Sequence, residues 1–348
     1  MTNSGPTMYE LRRNSAEFCK IDTLKHFCEH IRLPMLELPH LLQNLHYNEF
    51  TIPKKSGVRQ IEDPCDPLKA FLRDLNYNLQ SVYFHHRTPA AYGFMVVPDD
   101  DTDERNIRSN AQRHVNKPWM LNADFLDFFH AIKRETVFEI FLNQPFMFDE
   151  ELADTLADIC TYKGRLPMGS PTSPVLSNFA TRQLDADLLE ISKTNQWTYT
   201  RFADDLTFSA NEPINHNHLK EIAALCGLHG FEFNENKIHV LSPSVDKMVT
   251  GLKVTDRVDV EDDFFPKLAD EIAKYKHVKE IAFRTGDRNA LMIERFEQEI
   301  QGFLTFAKYV SGPEHPDYRA AIKEFKGADI DYDSYDSVSW LEFNYLLK

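Results

Sequence analysis

The sequence predicts an α+β fold, and three observations carry that expectation. Apolar residues recur at helical spacing near the start, at Leu24, Phe27, Cys28 and Ile31. They recur again near the end, at Met292, Phe296, Ile300, Phe303, Leu304, Ala307 and Val310. Between these stretches, β-prone runs flank turn residues at 50–62 and 199–208. With 348 residues, 42% of them hydrophobic and 27% charged, the chain can bury a large core in one to three subdomains.

Composition excludes several classes. No apolar run is long enough to span a bilayer, and Met1–Ser15 is polar, without the apolar core of a secretion signal. A cytoplasmic protein without a membrane partner is expected. The five cysteines, Cys19, Cys28, Cys65, Cys160 and Cys226, include no CxxC pair, so free thiols are expected rather than zinc or disulfides. The net charge of −15 runs against the basic surface of most nucleic-acid binders. The field in a groove follows local charge, however, and much of the acid is clustered. One cluster, 98–104, reads as a solvated loop. The other, Asp329–Asp336 with Asp331, Asp333 and Asp336 alternating with Tyr332 and Tyr335, reads as a solvated tail or a docking segment for a protein partner.

In chain order, residues 1–50 read as mostly helical, with Pro34 ending the Leu24–Ile31 helix. Residues 50–62 form a hairpin with its turn at Ser56-Gly57. Lys54, Lys55 and Arg59 crowd one end, as a phosphate clamp or a solvated basic turn. Leu68, Phe71, Leu72, Leu75 and Leu79 share a helix face, and Lys69 and Arg73 lie on the same helix. Ser109 or Asn110 caps a short helix that leads to His114, a residue that equally fits a core or surface histidine.

Leu121–Phe129 reads as a buried strand that carries Asp124 and runs into a helix, with Asp127 at the helix start. Alone, Asp124 would pass for a strand-end acid or a cap. The run 199–208 reads as a tight hairpin with Asp204 and Asp205 at its turn, a placement suited to a hard cation with oxygen ligands. Since 204 − 124 = 80, only a sheet with these strands side by side unites the acids. Leu166–Pro174, rich in Pro, Gly and Ser, forms a rigid turn whose backbone can approach a ligand, and a buried helix follows from Val175 to Thr181. Lys237, in Asn234-Glu235-Asn236-Lys237, is a surface lysine or a cation facing a charged group. From about residue 256 the pattern is helical, with Lys267, Lys274, Lys276, Lys279, Arg284 and Arg288 among interspersed acids.

In order and spacing, 121–129, 166–174, 202–205, 234–237 and 249–252 resemble the palm motifs of reverse transcriptases. Asn110-Ala111-Gln112-Arg113-His114 and Val249-Thr250-Gly251 further resemble the two signatures of retron reverse transcriptases. The resemblance spans about residues 50–312. It implies a right-hand fold with fingers and N-terminal helices over 1–115, a palm over 116–255 and a helical thumb with the acidic tail over 256–348. It implies catalysis by Asp124, Asp204, Asp205 and Lys237. Two Mg²⁺ ions, replaceable by Mn²⁺, would lie at Asp124, Phe125, Asp204 and Asp205. Nucleotide would be bound by Lys54, Lys55, Arg59, Phe125, Phe129, Met168 and Gly169, and RNA by Asn110, His114, Val249, Thr250 and Gly251.

Phe129 stands where the family places a ring under the sugar of the incoming nucleotide; otherwise it is a core aromatic beside Phe128. The sequence departs from the family at Met168, where glutamine is usual, and at Phe202, where tyrosine is common. A thioether donates no hydrogen bond, which puts substrate affinity and fidelity in doubt.

The implied function is RNA-directed DNA synthesis from a structured non-coding RNA, with deoxynucleoside triphosphates as substrates, an RNA–DNA hybrid as product and an effector protein as partner. The alternatives are another bacterial defence or diversity-generating reverse transcriptase, and a catalytically silent scaffold that binds RNA or a partner.

Overall fold

The computed structural model describes residues 5–54, 57–285 and 290–327. Lys55, Ser56, Arg288 and the acidic tail at Asp329–Asp336 lie outside the described residues. The chain divides into two compact units, Met1–Thr250 and Gly251–Lys348.

The first unit opens with three helices, α1 (Met8–Phe18), α2 (Leu24–His30) and α3 (Leu38–Gln43). A capping box starts α1. The Thr7 side chain accepts from the Glu10 amide, and the Glu10 carboxylate accepts from the Thr7 amide. α2 stops before Pro34, because Arg32 takes a left-handed φ of 58° that ends the helical path. A hairpin follows, β1 (Tyr47–Pro53) paired antiparallel with β2 (Val58–Pro64), longer at both ends than 50–62. α4 (Asp66–His86) turns Leu68, Leu72, Leu75 and Leu79 into the core.

Two local expectations are corrected. The 98–104 segment is not simply solvated. Arg87 donates to Asp101 at 2.8 Å, and Arg105 grips Asp103 with two bonds. α5 (Ile107–Gln112) is capped by Asn106, with Ser109 completing the box from the third helical position, rather than by Ser109 or Asn110.

The centre of the unit is a four-stranded antiparallel sheet. Its strands are β3 (Trp119–Asp124), β4 (Thr198–Phe202), β5 (Asp205–Ala210) and β6 (His239–Leu241), in the order β4-β5-β3-β6. Between β3 and β4 run α6 (Phe128–Ala131), α7 (Arg134–Leu142), α8 (Glu150–Cys160), α9 (Ser173–Ala180) and α10 (Arg182–Thr194). Between β5 and β6 lie α11 (His216–Leu228) and a 3₁₀ turn, Glu235–Lys237; β7 (Lys247–Val249) closes the unit.

Alternation along the strands gives the sheet two distinct faces. Tyr199, Phe208 and Leu121 stand in register on one face, and all three are core residues. The Tyr199 and Phe208 rings stack with centroids 4.7 Å apart. Thr200, Thr207 and Asn122 form the corresponding polar row on the other face.

The second unit begins with a small antiparallel pair, β8 (Leu252–Val254) and β9 (Val258–Asp259), where the sequence pattern suggested helix from about 256. α12 (Phe264–Thr285), α13 (Ala290–Ser311) and α14 (Pro316–Lys326) follow, joined through Leu268, Ile272, Tyr275, Ile300, Leu304, Ala307, Tyr318 and Ala321. Phe303 is off this buried face at 40% exposure and lines a cavity of about 460 Å³ with Phe264, Phe296 and Phe306. Lys267, Lys274 and Lys276 are engaged by Asp263, Glu271 and Glu324. Exposed pairs of this kind hold weakly and can exchange for other anions.

All five cysteines are free thiols. Among the described residues, no helix is long and apolar enough to cross a membrane.

Phe208 is fully buried at the centre of the stacked row. Phe208→Ala is expected to cost about 3–5 kcal/mol of stability, read as a lower denaturation midpoint at unchanged slope.

Candidate active site

Register brings the acids together. β3 and β5 pair so that Asp124 stands directly opposite Asp205, and side chains of opposed residues share a face. Asp204 joins them from the two-residue turn between β4 and β5, whose flanking pair is Phe202 and Asp205. Ala203, the first central residue of that turn, has a φ of 59°, the left-handed value that primed hairpin turns require and that glycine usually supplies. The amide of Phe125 donates to the carbonyl of Asp204 at 3.1 Å, which ties the end of β3 to the turn.

The electrostatics follow from this crowding. Asp124 is nearly buried and accepts from Lys237 Nζ at 2.7 Å. Burial and the charge of Asp124 raise Asp204 above the usual carboxylate range, against the opposing pull of Lys237 and Arg59. Asp205 keeps an open edge to solvent, yet the protein mass around its carboxyl and the charges of Asp204 and Asp124 push it up to about 7. Partial desolvation disfavours the charged form of Lys237. The hydrogen bond it donates to Asp124 and the charges of Asp124, Asp204 and Asp205 outweigh it and hold Lys237 above the usual lysine value. The cluster therefore carries more negative charge than its lysine balances.

A divalent cation fits this donor set. The ligands are all oxygen, and the raised pKa values of Asp204 and Asp205 mark charge that a cation would neutralise. Among the described residues, no group of three or more His, Cys, Asp and Glu forms a ready metal cage. Mg²⁺ is usually held by one or two carboxylates together with water and substrate phosphates, so a partial protein shell is what such an ion needs. Phe125 can contribute only main-chain atoms, since its ring is buried, stacked on Phe128 and Phe233 and tilted against Phe231. Asp127, the other acid of the motif, is exposed at the start of α6 with a φ of 44° and makes no capping bond.

The surroundings split into residues that face the site and residues that support it. Phe129 is half-buried, and its ring lies 5.7 Å from Phe94, whereas Phe128 is core. Lys54 and Arg59 are exposed on the hairpin, and Arg59 is near enough for its charge to act on Asp204. Met168 faces outward only in part. Its carbonyl accepts from the Glu62 amide at 2.8 Å, and its own amide donates to the Glu62 carboxylate at 3.3 Å. Gly169, at φ 139°, lies so close to the backbone of β2 that a Cβ would come within 2.7 Å of the Glu62 carbonyl. The close approach expected of this loop is thus made to Glu62. The Glu62 side chain is fully buried and also accepts from Arg165 at 2.8 Å and His130 at 3.2 Å, fastening β2 to the loop and to α6.

The expected RNA-binding set is corrected. Asn110, His114 and Val249 are 1%, 0% and 1% exposed, so they do not reach an RNA. The Thr250 hydroxyl donates to the Ile107 carbonyl at 3.1 Å, and Gly251 alone of the five is exposed. The two signatures are instead an internal support in which Thr250 ties to α5. The His114 ring spans two hydroxyls, Ser209 on β5 and Thr200 on β4, each at 2.7 Å. Ser209 and Thr200 point from the same sheet face as Asp205, so His114 pins both strands of the acidic hairpin.

Sequence reasoning missed Glu62 and the buried polar groups Asp185, Asn178 and Arg201. The available signal was an ionisable residue within a β-prone run of otherwise uncharged residues, as in Tyr199-Thr200-Arg201-Phe202.

Residues 52–279 match the family described as reverse transcriptase (RNA-dependent DNA polymerase). The chain belongs to the reverse transcriptase family. It is 30% identical to the retron Ec83 reverse transcriptase of Escherichia coli over 223 residues, covering 60% of this chain and 69% of that protein. It is 28% identical to the retron Ec86 reverse transcriptase of Escherichia coli over 233 residues, covering 65% and 68%. Among solved structures, telomerase from Candida albicans in complex with a fragment of telomeric RNA is similar at 10% identity and a TM-score of 0.47, covering 86% of this chain and 66% of that one. The chain is a retron-type reverse transcriptase, an RNA-directed DNA polymerase with the α+β architecture of that family.

Burial lowers the pKa of His114 from 6.5 to about 3, helped by the nearby charges of Arg113 and Lys117. The folded protein therefore holds this ring neutral while the unfolded chain protonates it. The stability it contributes is complete above pH 6.5 and is lost as pH falls toward 3. His114→Gln is expected to destabilise the protein more at pH 7.5 than at pH 4.5 in paired urea titrations. An equal penalty at both pH values would contradict a neutral buried ring.

Proposed function

We propose that this polymerase copies a structured non-coding RNA in the cytoplasm. DNA synthesis begins from a 2′-hydroxyl, giving multicopy single-stranded DNA joined to RNA by a 2′-5′ branch. The proposed setting is antiphage defence alongside an effector protein. The reading rests on one observation above others, the pairing of Asp124 opposite Asp205 with Asp204 at the adjoining turn. Similarity to retron enzymes, rather than any fold feature alone, favours the retron over other defence or diversity-generating enzymes. The assembled carboxylates disfavour a silent scaffold.

In this account Asp124, Asp204 and Asp205 hold two Mg²⁺ ions, or Mn²⁺ in their place, with the Phe125 main chain adjoining. Held there, such ions would supply Lewis-acid stabilisation of the charge that develops in a phosphoryl transfer. Lys237 keeps Asp124 ionised and oriented, and its cation faces the charge that gathers on the departing pyrophosphate. Lys54 and Arg59, with Lys55 beyond the described residues, clamp the triphosphate from the hairpin. The hairpin is set over the site by the strap from Glu62 to Met168 and Arg165.

Phe129 acts as the gate that a 2′-hydroxyl would strike, while Met168 and Gly169 border the base. Fingers, palm and thumb are assigned to 1–115, 116–255 and 256–348, the thumb holding the RNA–DNA hybrid. Direct RNA contact falls to Gly251 among the five signature residues first considered.

Expression with the native upstream locus is expected to yield short DNA covalently branched from RNA, absent in an Asp204→Asn, Asp205→Asn strain. Unbranched cDNA from the same locus would reject the retron product while keeping the polymerase. Phe129→Val is expected to raise ribonucleotide incorporation, on the order of 10-fold or more if the ring supplies at least about 1.4 kcal/mol of discrimination. Unchanged sugar selectivity would refute the gate.

A further inference from the structure

The acidic turn is held from behind by a closed set of buried polar groups that the reaction itself does not use. Arg201 is fully buried on β4. Its Nε and Nη2 donate to the two oxygens of Asp185 at 2.9 and 2.8 Å. The same carboxylate accepts from the Tyr199 hydroxyl at 2.9 Å and from Thr88 at 2.8 Å. Arg201 Nη1 is thereby aimed along the strand toward the turn. It donates to the carbonyl of Ala203 at 3.0 Å and to Asn178 Oδ1 at 3.1 Å.

The set closes around Ala203 from the other side. Asn178 is fully buried on α9, and its Nδ2 donates to the carbonyls of Gly93 and Phe94 at 3.0 and 3.3 Å. Gly93 in turn abuts the turn, since a Cβ there would sit 3.0 Å from the Ala203 nitrogen. The segment reaching Gly93 runs beside β4, with the Tyr92 amide donating to the Arg201 carbonyl and the Arg201 amide to Ala90, each at 2.8 Å.

A buried ion pair is a poor device for stability alone, because well-packed apolar residues of similar volume do as well or better. Its distinguishing product here is a donor fixed on the Ala203 carbonyl. Ala203 needs such a restraint, because a residue with a Cβ does not rest freely at a φ of 59°. We infer that Arg201, oriented by Asp185 and Asn178, is a positioning residue that holds Ala203 left-handed and so aims the carboxylates of Asp204 and Asp205. The inference rests on the assignment of those carboxylates as catalytic.

The test uses the full chain extending a DNA primer on an RNA template, with Arg201→Lys, the double variant Arg201→Lys with Ala203→Gly, and Asp204→Asn. Lysine keeps the charge and loses the fork, so the turn loses its donor. Arg201→Lys is expected to lower kcat on the order of 100-fold, the scale of about 1 Å of misplacement, at unchanged KM for nucleotide. It is also expected to weaken Mn²⁺ binding, read from free Mn²⁺ by electron paramagnetic resonance. Glycine at 203 removes the conformational penalty and is expected to recover roughly 10-fold of the lost kcat.

A normal kcat in Arg201→Lys, or no recovery on adding Ala203→Gly to a folded single variant, overturns the inference. If Arg201→Lys does not fold, Gly93→Ala presses on the same turn with the ion pair intact. A kcat loss there at unchanged melting temperature and KM supports the inference, and full activity overturns it. Activity retained in Asp204→Asn would instead overturn the reading of the site.

Discussion

Three carboxylates in one place repel each other, and the fold must hold them there before any cation arrives. Opposition of Asp124 and Asp205 across an antiparallel pair forces the approach, and a two-residue turn leaves Asp204 no room to leave it. The cost appears in the raised pKa values of Asp204 and Asp205. One lysine, Lys237, offsets part of it through Asp124. Such a site is stable only because the sheet beneath it is anchored elsewhere.

That anchoring is divided between the two faces of the sheet. On the apolar face Tyr199, Phe208 and Leu121 merge into the main core. On the face that carries Asp124 and Asp205, burial of polar groups replaces apolar packing, and His114 bridges hydroxyls on both hairpin strands. The Glu62 cluster does comparable work for the β1–β2 hairpin, joining β2 to the loop at Met168 and to Arg165 and His130. Buried polar clusters of this type are costly when incomplete, so each also fixes a unique geometry. The positions of the clustered carboxylates and of the Met168 loop thus trace to buried hydrogen bonds rather than to the apolar core alone.

Much of this was legible in the sequence where local chemistry is decisive. The Phe202–Asp205 hairpin, the strand ending at Asp124 and the helix bearing Leu68 to Leu79 follow from period and turn residues. Other features depend on partners distant in the chain and leave no local mark. Asn110 and His114 were expected at RNA through the resemblance alone, and the residues themselves left His114 open between core and surface; only the folded neighbours Thr200 and Ser209 satisfy its buried ring. The helix ending before Pro34 and the cap at Asn106 show how boundary residues respond to backbone conformations, such as Arg32 at φ 58°, that composition does not reveal. Phe303 followed the helical period yet lies at a cavity, because the three-helix packing leaves that flank open.

Whether the carboxylates act together as a cation site is tested most directly by crystallography. Crystals of the chain with an RNA–DNA primer–template and an incoming deoxynucleoside triphosphate would be soaked in Mn²⁺ and examined for anomalous scattering. The account predicts manganese peaks within coordinating distance of Asp124 and of Asp204 or Asp205, shared with the triphosphate oxygens. Peaks confined to other sites, in crystals that still extend the primer, would contradict it.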